Sequence, residues 1–277
     1  MEAIRLARRA DLPRLTALWH ECFGDSPAYI ENFYRHSFSR IYIPVIEHEG
    51  VPVGMVHLLP CVHSASGVRK GALYAYAIGM TGSLRGSGLM RSLFSRVLRE
   101  CEARGILLVL APQNEKLFDY YASYGLSPQY SQYRGIVTRE MLLAKHASGA
   151  GWSVREIADD GYFSARESCY RTLSYVSFDA PSVAYALDEN RYCGGFALAI
   201  ESPLGLSCMM GVQERGRLLV RELCCADKPE NVLLSILDYH RVSECVIHSP
   251  YALPGTEKCR PTMATAQREG YMGLLLD

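Results

Sequence analysis

Two spaced sets of residues in the first half of the chain could carry out chemistry on a phosphorylated ligand. Residues 85–88 form an Arg-Gly-Ser-Gly turn between an apolar run that ends at Met80 and an amphipathic run that starts at Leu89. Glycines let the backbone approach a ligand, and a helix start offers unpaired N–H groups and a positive dipole end. The pattern indicates a phosphate-binding turn to which Arg85 adds a cation, and Tyr121 is a candidate proton donor further along.

The segment after this turn is predicted to be a helix because its apolar residues recur on one face. Gly105 is placed to end this helix. A glycine-rich turn before a helix is more often a tight strand-to-helix connection than a phosphate site, so the turn alone favours the structural interpretation. The apolar face comprises Leu89, Met90, Leu93, Phe94, Val97, Leu98 and Cys101.

The next segment gives the turn a context. Residues 106–110 read as a buried strand, and Pro112-Gln113-Asn114 opens a short helix that reaches Tyr121. With these elements in this order, the first half of the chain resembles the GNAT superfamily of acyl-CoA-dependent N-acetyltransferases. The sequence of residues 85–93, together with the Tyr121, Gly125 and Pro128 spacing, resembles the tandem-domain members of the enhanced intracellular survival type. Met90 and Gly82 depart from the superfamily pattern, which has a small residue and often a proline at these places.

The resemblance implies a role for each matching residue. Tyr121 would protonate the departing thiolate of coenzyme A, because a proton is needed there only as negative charge builds on sulfur. Tyr120, Tyr121 and Tyr124 could instead be packing aromatics, but the register of Tyr121 with Asn114 and Gly125 favours the catalytic interpretation. The implied acetyl-CoA contacts are the backbone at Ile78, Gly79 and Met80 and the side chain of Asn114 for the pantetheine arm, and the amides of Arg85, Gly86, Ser87, Gly88, Leu89 and Met90 for the pyrophosphate.

The general base is not identified by the sequence. Amines are protonated near neutral pH, so a group must accept a proton before nitrogen attacks the thioester. The strand that leads into the turn contains no acid from Leu73 to Met80. Asp25, Glu47, Glu49 and His57 are candidates by position, and each also reads as an ordinary surface group.

The resemblance to tandem acetyltransferases suggests a second route, in which the chain's own C-terminal carboxylate at Asp277 enters the active site. The alternative is a final strand with a solvated end after the apolar residues 272–276. Family members with that arrangement carry a third, lipid-carrier-like domain, which the sequence here does not show.

Composition excludes several classes of protein. The chain has 277 residues, 29 Lys+Arg, 29 Asp+Glu and no polybasic run, so nucleic-acid and membrane binding are not expected. No signal peptide or membrane span is read from the sequence, which favours a cytoplasmic protein. The 10 cysteines are scattered without a C-x-x-C pair, so reduced thiols are expected and a metal site is not.

The predicted fold is α/β (α+β): a mixed sheet flanked by helices, followed by a second, degenerate copy. The boundary falls at residues 145–151, which are rich in small residues, so residues 1–145 would bind acetyl-CoA and residues 152–277 would form part of the acceptor site. No glycine lies between Leu223 and Pro229, so the second copy is not expected to bind coenzyme A. The predicted strands are 4–7, 42–47, 53–59, 71–80, 106–110 and 130–137 in the first half, and 182–187, 195–200, 206–212, 218–224 and 242–248 in the second, with a helix at 229–240.

The function expected from the resemblance is direct transfer of an acetyl group from acetyl-CoA to an amine. The acceptor could be a small-molecule amine, an aminoglycoside-like compound or a lysine side chain, and the sequence does not choose among them. A catalytically silent acyl-CoA-binding module is the alternative, because no base is evident. An interaction protein that has lost its ligand is disfavoured by the intact turn, and exposed strand edges would allow homo-oligomers.

Overall fold

The computed structural model describes residues 2–148, 152–214 and 216–274. The chain divides into two compact units. The first unit runs to Val62, resumes over Lys70–Ser127 and includes Met263–Gln267, while the second takes His63–Arg69, Pro128–Thr262 and the chain from Arg268. None of the helices in the described ranges is both long and apolar enough to span a membrane.

The first unit is built on a sheet in the order β1-β2-β3-β4-β5. Strands β4 and β5 are parallel, so the chain must cross over between them, and helix α3 makes this crossover. The elements are β1 (Ala3–Leu6), α1 (Leu12–Phe23), α2 (Pro27–Ser37), β2 (Pro44–His48), β3 (Val51–Ala65), β4 (Val68–Met80), α3 (Leu89–Ala103), β5 (Leu107–Leu110), α4 (Glu115–Ala122) and the short β6 (Ser127–Gln129).

The second unit is built on a sheet in the order β14-β7-β13-β12-β11-β10-β8. Strands β12 and β13 are its parallel pair, and helix α8 makes the crossover between them. The elements are β7 (Gln132–Thr138), α5 (Arg139–Leu143), β8 (Ser153–Glu156), α6 (Asp159–Tyr170), β9 (Tyr175–Ser177), α7 (Ala180–Tyr192), β10 (Phe196–Ser202), β11 (Gly205–Glu214), β12 (Arg217–Cys224), α8 (Pro229–His240), β13 (Glu244–Ser249) and β14 (Thr256–Cys259). The remaining strand, β15 (Thr262–Ala264), joins the first sheet.

The predicted α/β class, with mixed sheets flanked by helices, is confirmed. One predicted strand was wrong, because residues 182–187 lie in helix α7. Asp179 caps this helix by accepting a hydrogen bond from the Ser182 amide, and Pro181 occupies its first turn. Residues 185–187 are buried in succession and Glu189 and Asn190 are buried as well, so the buried residues do not follow the one-sided apolar spacing of an amphipathic helix.

A second correction concerns the last strand of the first sheet. Residues 130–137 were expected to supply it, but β7 pairs with β13 and β14 in the second sheet. The position next to β5 is taken instead by Met263 and Ala264 of β15, which pair antiparallel with Leu110 and Val109. Each unit therefore receives a strand from the other half of the sequence, a long-range pairing that no local pattern encodes.

The second unit contains a buried ion pair. The Arg166 guanidinium donates to Glu222 through Nε at 3.1 Å and through Nη2 at 3.2 Å, and both side chains are fully buried. The Tyr162 hydroxyl donates to the same carboxylate at 3.0 Å. Removing one partner of such a pair leaves an uncompensated buried charge, which costs far more than losing an exposed pair.

We therefore expect Arg166→Met to lower the free energy of unfolding by about 3 to 5 kcal/mol. The matched control is Arg155→Met, because Arg155 and Glu201 form a half-exposed pair at 2.8 Å. This control should cost less than about 1 kcal/mol. Urea denaturation followed by circular dichroism measures both, and equal losses would contradict the assignment.

Candidate active site

The site begins where strand β4 continues past the end of its parallel partner. The last pair in the register joins Ala75 to Leu110, where β5 ends, while β4 runs on to Met80. Within this extension Ala77 has a φ of 43°, a conformation that residues other than glycine rarely adopt. Residues 78–80 therefore have no partner strand on the β5 side within the described chain, and their backbone is placed to pair with an extended ligand.

The unusual conformation at Ala77 is held by a buried histidine. His57 on β3 is fully buried, and its Nδ1 lies 3.1 Å from the Ala77 carbonyl oxygen. A carbonyl only accepts, so Nδ1 carries the proton, and the Tyr34 hydroxyl donates to Nε2 at 3.0 Å. Burial lowers the pKa of His57 to about 4, so the ring is neutral near pH 7.

The turn after β4 has the geometry expected of a phosphate cradle. Gly86 and Gly88 have φ values of 83° and 89°, and a Cβ placed on either would meet no atom within 4 Å. Gly88 is the N-cap of α3. The N–H groups of Gly86, Gly88 and Met90 have no acceptor within the described ranges. These amides sit at the positive end of a 15-residue helix, an arrangement that suits an anion.

The side chains of the turn are used mainly to hold the turn itself. Arg85 Nε donates to the Met80 carbonyl at 3.2 Å, so its guanidinium folds back over the end of β4. The Ser87 hydroxyl donates to the Leu84 carbonyl at 2.7 Å. Leu89 is buried in the core of the unit. The predicted pyrophosphate contacts at the amides of Arg85, Ser87 and Leu89 are already engaged, because these groups donate to Gly82 O at 3.2 Å, Leu84 O at 3.3 Å and Ser87 Oγ at 3.4 Å. The amides of Gly86, Gly88 and Met90 are the groups left to bind a ligand.

Glu21 on α1 is a residue that sequence reasoning missed. Its carboxylate accepts from the Gly82 amide at 2.6 Å and from the Thr81 hydroxyl at 3.0 Å, which fixes the path from β4 into the turn. These bonds, led by the one from Gly82, lower the pKa of Glu21. An acid on an amphipathic helix carries no sequence signal for such a role. His57 did carry one, because a histidine inside an apolar strand needs buried partners.

Tyr121 lies in the same hydrophobic cluster as Met80 and Leu89. Its ring packs against Phe94 of α3 at 5.3 Å, and its hydroxyl forms no hydrogen bond to another described residue. Burial raises the pKa of Tyr121 well above its usual value. The hydroxyl therefore stays protonated at neutral pH and remains free to donate.

The neighbouring residues of α4 have other bonding partners. The hydroxyl groups of Tyr120 and Tyr124 bond to each other at 2.9 Å, so the packing interpretation fits these two tyrosines. Asn114 is exposed and caps α4, its Oδ1 accepting from the Leu117 amide at 3.1 Å. Asn114 thus fixes the start of the helix that carries Tyr121, and its contact with a cofactor arm stays a prediction.

Three of the four candidate bases already form hydrogen bonds within the protein. Glu47 bonds to Arg5 at 2.8 Å, and Asp25 accepts from the Trp19 indole at 2.8 Å. His57 is enclosed by its bonds to Tyr34 and Ala77. Glu49 occupies a turn with a φ of 53°. Asp277, the other suggested residue, lies outside the described residues.

The corresponding connection in the second unit differs at the amides. Between β12 and α8, Cys225 N–H donates to the Tyr251 hydroxyl at 3.0 Å and Ala226 N–H donates to the Ser207 hydroxyl at 2.9 Å. Lys228 N–H donates to Asp227 at 2.6 Å. Side chains of the protein thus occupy the amides that the first unit leaves open.

Comparisons with known proteins agree with this geometry. Residues 3–128 match the family model described as an acetyltransferase (GNAT) domain. No curated protein sequence matches the chain.

Solved structures match over nearly the whole chain. A conserved protein from Enterococcus faecalis, described as a probable N-acyltransferase, has a TM-score of 0.79 at 14% identity, covering 95% of this chain and 72% of its own. Eis1 from Mycobacterium abscessus has a TM-score of 0.72 at 14% identity, covering 95% and 73%. A tandem GNAT protein from the clavulanic acid biosynthesis pathway has a TM-score of 0.54 at 11% identity, covering 95% and 98%. The predicted resemblance to tandem GNAT proteins is confirmed at the level of the fold.

The geometry of the turn generates a prediction about Gly88. We expect Gly88→Val to weaken coenzyme A binding strongly, because a β-branched residue resists a positive φ and the turn must rearrange. Gly105→Val is the matched control, since Gly105 also has a positive φ with open space around it but lies beyond the other end of α3. Both should lose about 1 to 2 kcal/mol of stability. Calorimetric titration with coenzyme A should separate them, and equal affinities would contradict the cradle.

The buried neutral His57 predicts a loss of stability in acid. Its pKa of about 4 lies below the ordinary histidine value of 6.5, so the unfolded chain takes up a proton first as the pH falls. Stability should be full above pH 6.5 and fall by roughly 3 kcal/mol on approaching pH 4. His57→Gln removes this contribution, so its urea midpoint should fall less than that of the wild type between about pH 7 and pH 4.5. Parallel pH profiles would show that His57 is not the titrating group.

Proposed function

We propose that the protein transfers an acetyl group from acetyl-CoA directly to an amine, and the match of residues 3–128 to the family model of an acetyltransferase (GNAT) domain supports this proposal. The observation that carries this proposal is the coincidence of the open turn amides with a free, protonated tyrosine in the same unit. The acceptor class is a small-molecule amine, an aminoglycoside-like compound or a lysine side chain.

The residues of the first unit fit acetyl-CoA. The end of β4 at Ile78, Gly79 and Met80 has no partner on the β5 side within the described chain and would hold the pantetheine arm by backbone hydrogen bonds, although Arg85 already bonds the Met80 carbonyl. The N–H groups of Gly86, Gly88 and Met90 would hold the pyrophosphate. When bound, acetyl-CoA supplies an acyl group activated as a thioester.

Tyr121 would act as the general acid. Its raised pKa keeps the hydroxyl protonated across the neutral range, so the proton is present when negative charge builds on the departing sulfur. Packing against Phe94 orients the ring relative to α3. Because the group titrates only above its usual range, it should impose no loss of activity as the pH rises from about 6 to 9.

The division of work between the two halves is also part of the proposal. We assign acetyl-CoA binding to residues 1–145 and a share of acceptor binding to residues 152–277. The filled amides between β12 and α8 support this assignment, because a pyrophosphate there would have to displace three protein hydrogen bonds.

We place the reaction in the cytoplasm.

A catalytically silent acyl-CoA-binding module is the second candidate function. The observation that favours it is the engagement of Asp25, Glu47 and His57 in structural bonds, which leaves none of them free to accept a proton from the amine. Under this alternative the turn binds acetyl-CoA but no acceptor is acetylated.

The test is coenzyme A release from acetyl-CoA, followed chromatographically so that the chain's own thiols do not interfere. The acceptors are polyamines, aminoglycosides, amino acids and lysine peptides. Turnover with one class of acceptor supports the transferase and identifies its substrate chemistry. Acetyl-CoA binding without release above background would favour the silent module.

For the active acceptor, Tyr121→Phe should lower kcat by about 100-fold or more while acetyl-CoA affinity changes little, because the substitution removes the proton donor and keeps the ring. Tyr124→Phe is the matched control on the segment that ends the same helix, and it should retain activity within a few-fold. Equal kcat values for the two variants would rule out Tyr121 as the acid.

A further inference from the structure

Three adjacent strands of the second sheet bring basic side chains together. Arg134 of β7 and His248 of β13 are direct partners in the antiparallel register. On the other side of β13, Val220 pairs with Ile247 in the parallel register, so Arg221 of β12 comes next to His248. None of these residues belongs to the glycine turn or to the helix that carries Tyr121.

A β-bulge in β12 determines on which face of the sheet Arg221 lies. Met210 pairs with Glu222 and Gly211 pairs with Val220, so Arg221 is the extra residue on β12. Val220 and Leu223 both belong to the core cluster that includes α8 residues, which means that the alternation of faces shifts between them. Arg221 and Glu222 consequently share the opposite face of the sheet.

The carboxylate next to Arg221 is already neutralised. Glu222 accepts two hydrogen bonds from the buried guanidinium of Arg166 and one from Tyr162. Within residues 2–148, 152–214 and 216–274, neither Arg134 nor Arg221 forms an ion pair with a carboxylate. Two partly buried guanidinium groups thus have no ion-pair partner within hydrogen-bond distance among the described residues.

These side chains line a cavity of about 210 Å³. Its walls include Arg134, Arg221 and His248, together with the buried side chain of Gln132 and the carboxylate of Glu189 on α7. Gln132 holds Arg134 in place, because its Oε1 accepts from Arg134 Nε at 3.0 Å while its amide donates to the Met272 carbonyl. Since water occupies about 30 Å³ in the liquid, the volume suits a metabolite-sized molecule.

The charges in the cavity select the ligand. Burial, and then the nearby Arg134 and Arg221, lower the pKa of His248 to about 4, so its ring is neutral and offers hydrogen bonds without charge. The guanidinium fork matches a carboxylate with two parallel hydrogen bonds. A carboxylate offers several acceptor positions, so Glu189 can accept a hydrogen bond from a hydroxyl or amino group on the same molecule in addition to its contact within the protein.

We propose that this cavity is a binding site for a small free carboxylic acid that carries a hydroxyl or amino group. Arg221 and Arg134 bind its carboxylate, and Glu189 accepts from its donor group. The proposal is independent of acetyl transfer, because none of these residues belongs to the glycine turn at residues 85–88 or to helix α4, which carries Tyr121.

The test is calorimetric titration of the full-length protein with acetate, L-lactate, L-malate, L-glutamate and inorganic phosphate, and with malamide as the uncharged counterpart of malate. At least one hydroxy or amino acid should bind more tightly than acetate, malamide and phosphate. Arg221→Gln should weaken its binding about tenfold or more. The matched control is Arg217→Gln on the same strand, whose exposed side chain pairs with Glu244, and it should leave affinity unchanged.

Further variants allow the titration to decide for or against the proposal. Arg134→Gln should reproduce the loss, and Arg221→Lys, which keeps the charge, should retain part of the affinity if Arg221→Gln does not fold. The proposal is overturned if no acid binds, if phosphate or malamide binds as well as the acid, or if Arg221→Gln binds normally. It is also overturned if acids bind only to a variant ending at Leu274, because the chain's own last residues would then occupy the cavity.

Discussion

The geometry of the first unit depends on one constraint: strand β4 extends beyond the end of its parallel partner, β5. The pairing ends at Ala75 and Leu110, and the positive φ at Ala77 redirects the rest of the strand. A strained residue persists only when its surroundings hold it, and here the bond from His57 to the Ala77 carbonyl does so from inside the core. The open backbone of residues 78–80 and the start of the glycine turn both result from this arrangement.

The two units use similar elements for different ends. Each has a parallel pair of strands joined by a crossover helix, α3 in the first unit and α8 in the second. In the first unit, glycines leave the amides after the strand open. In the second unit, the hydroxyls of Ser207 and Tyr251 accept hydrogen bonds from the corresponding amides. The bulge there makes Arg221 the extra residue of β12, and its side chain lines the cavity. The filled amides remove one binding surface, and the bulge places Arg221 at the cavity for which we propose a carboxylic acid ligand.

Sequence reasoning recovered the elements whose signals are local. The turn at residues 85–88, helix α3 and the helix start at Asn114 were all predicted, because glycine spacing, helical periodicity and capping chemistry are written within a few residues. Helix α7 was missed because its buried residues do not recur at helical spacing on a single apolar face. The exchange of β7 and β15 was missed because it depends on partners more than a hundred residues apart. Glu21 and Arg221 acquire their roles only through tertiary contacts.

The central claim is that the amides between β4 and α3 bind the cofactor. It is tested most directly by backbone amide NMR, following chemical shifts and hydrogen exchange with and without acetyl-CoA. We predict large shifts and slowed exchange at Gly86, Gly88 and Met90, with no such change between Cys224 and Pro229. Binding of acetyl-CoA that leaves those three amides unperturbed would contradict the claim.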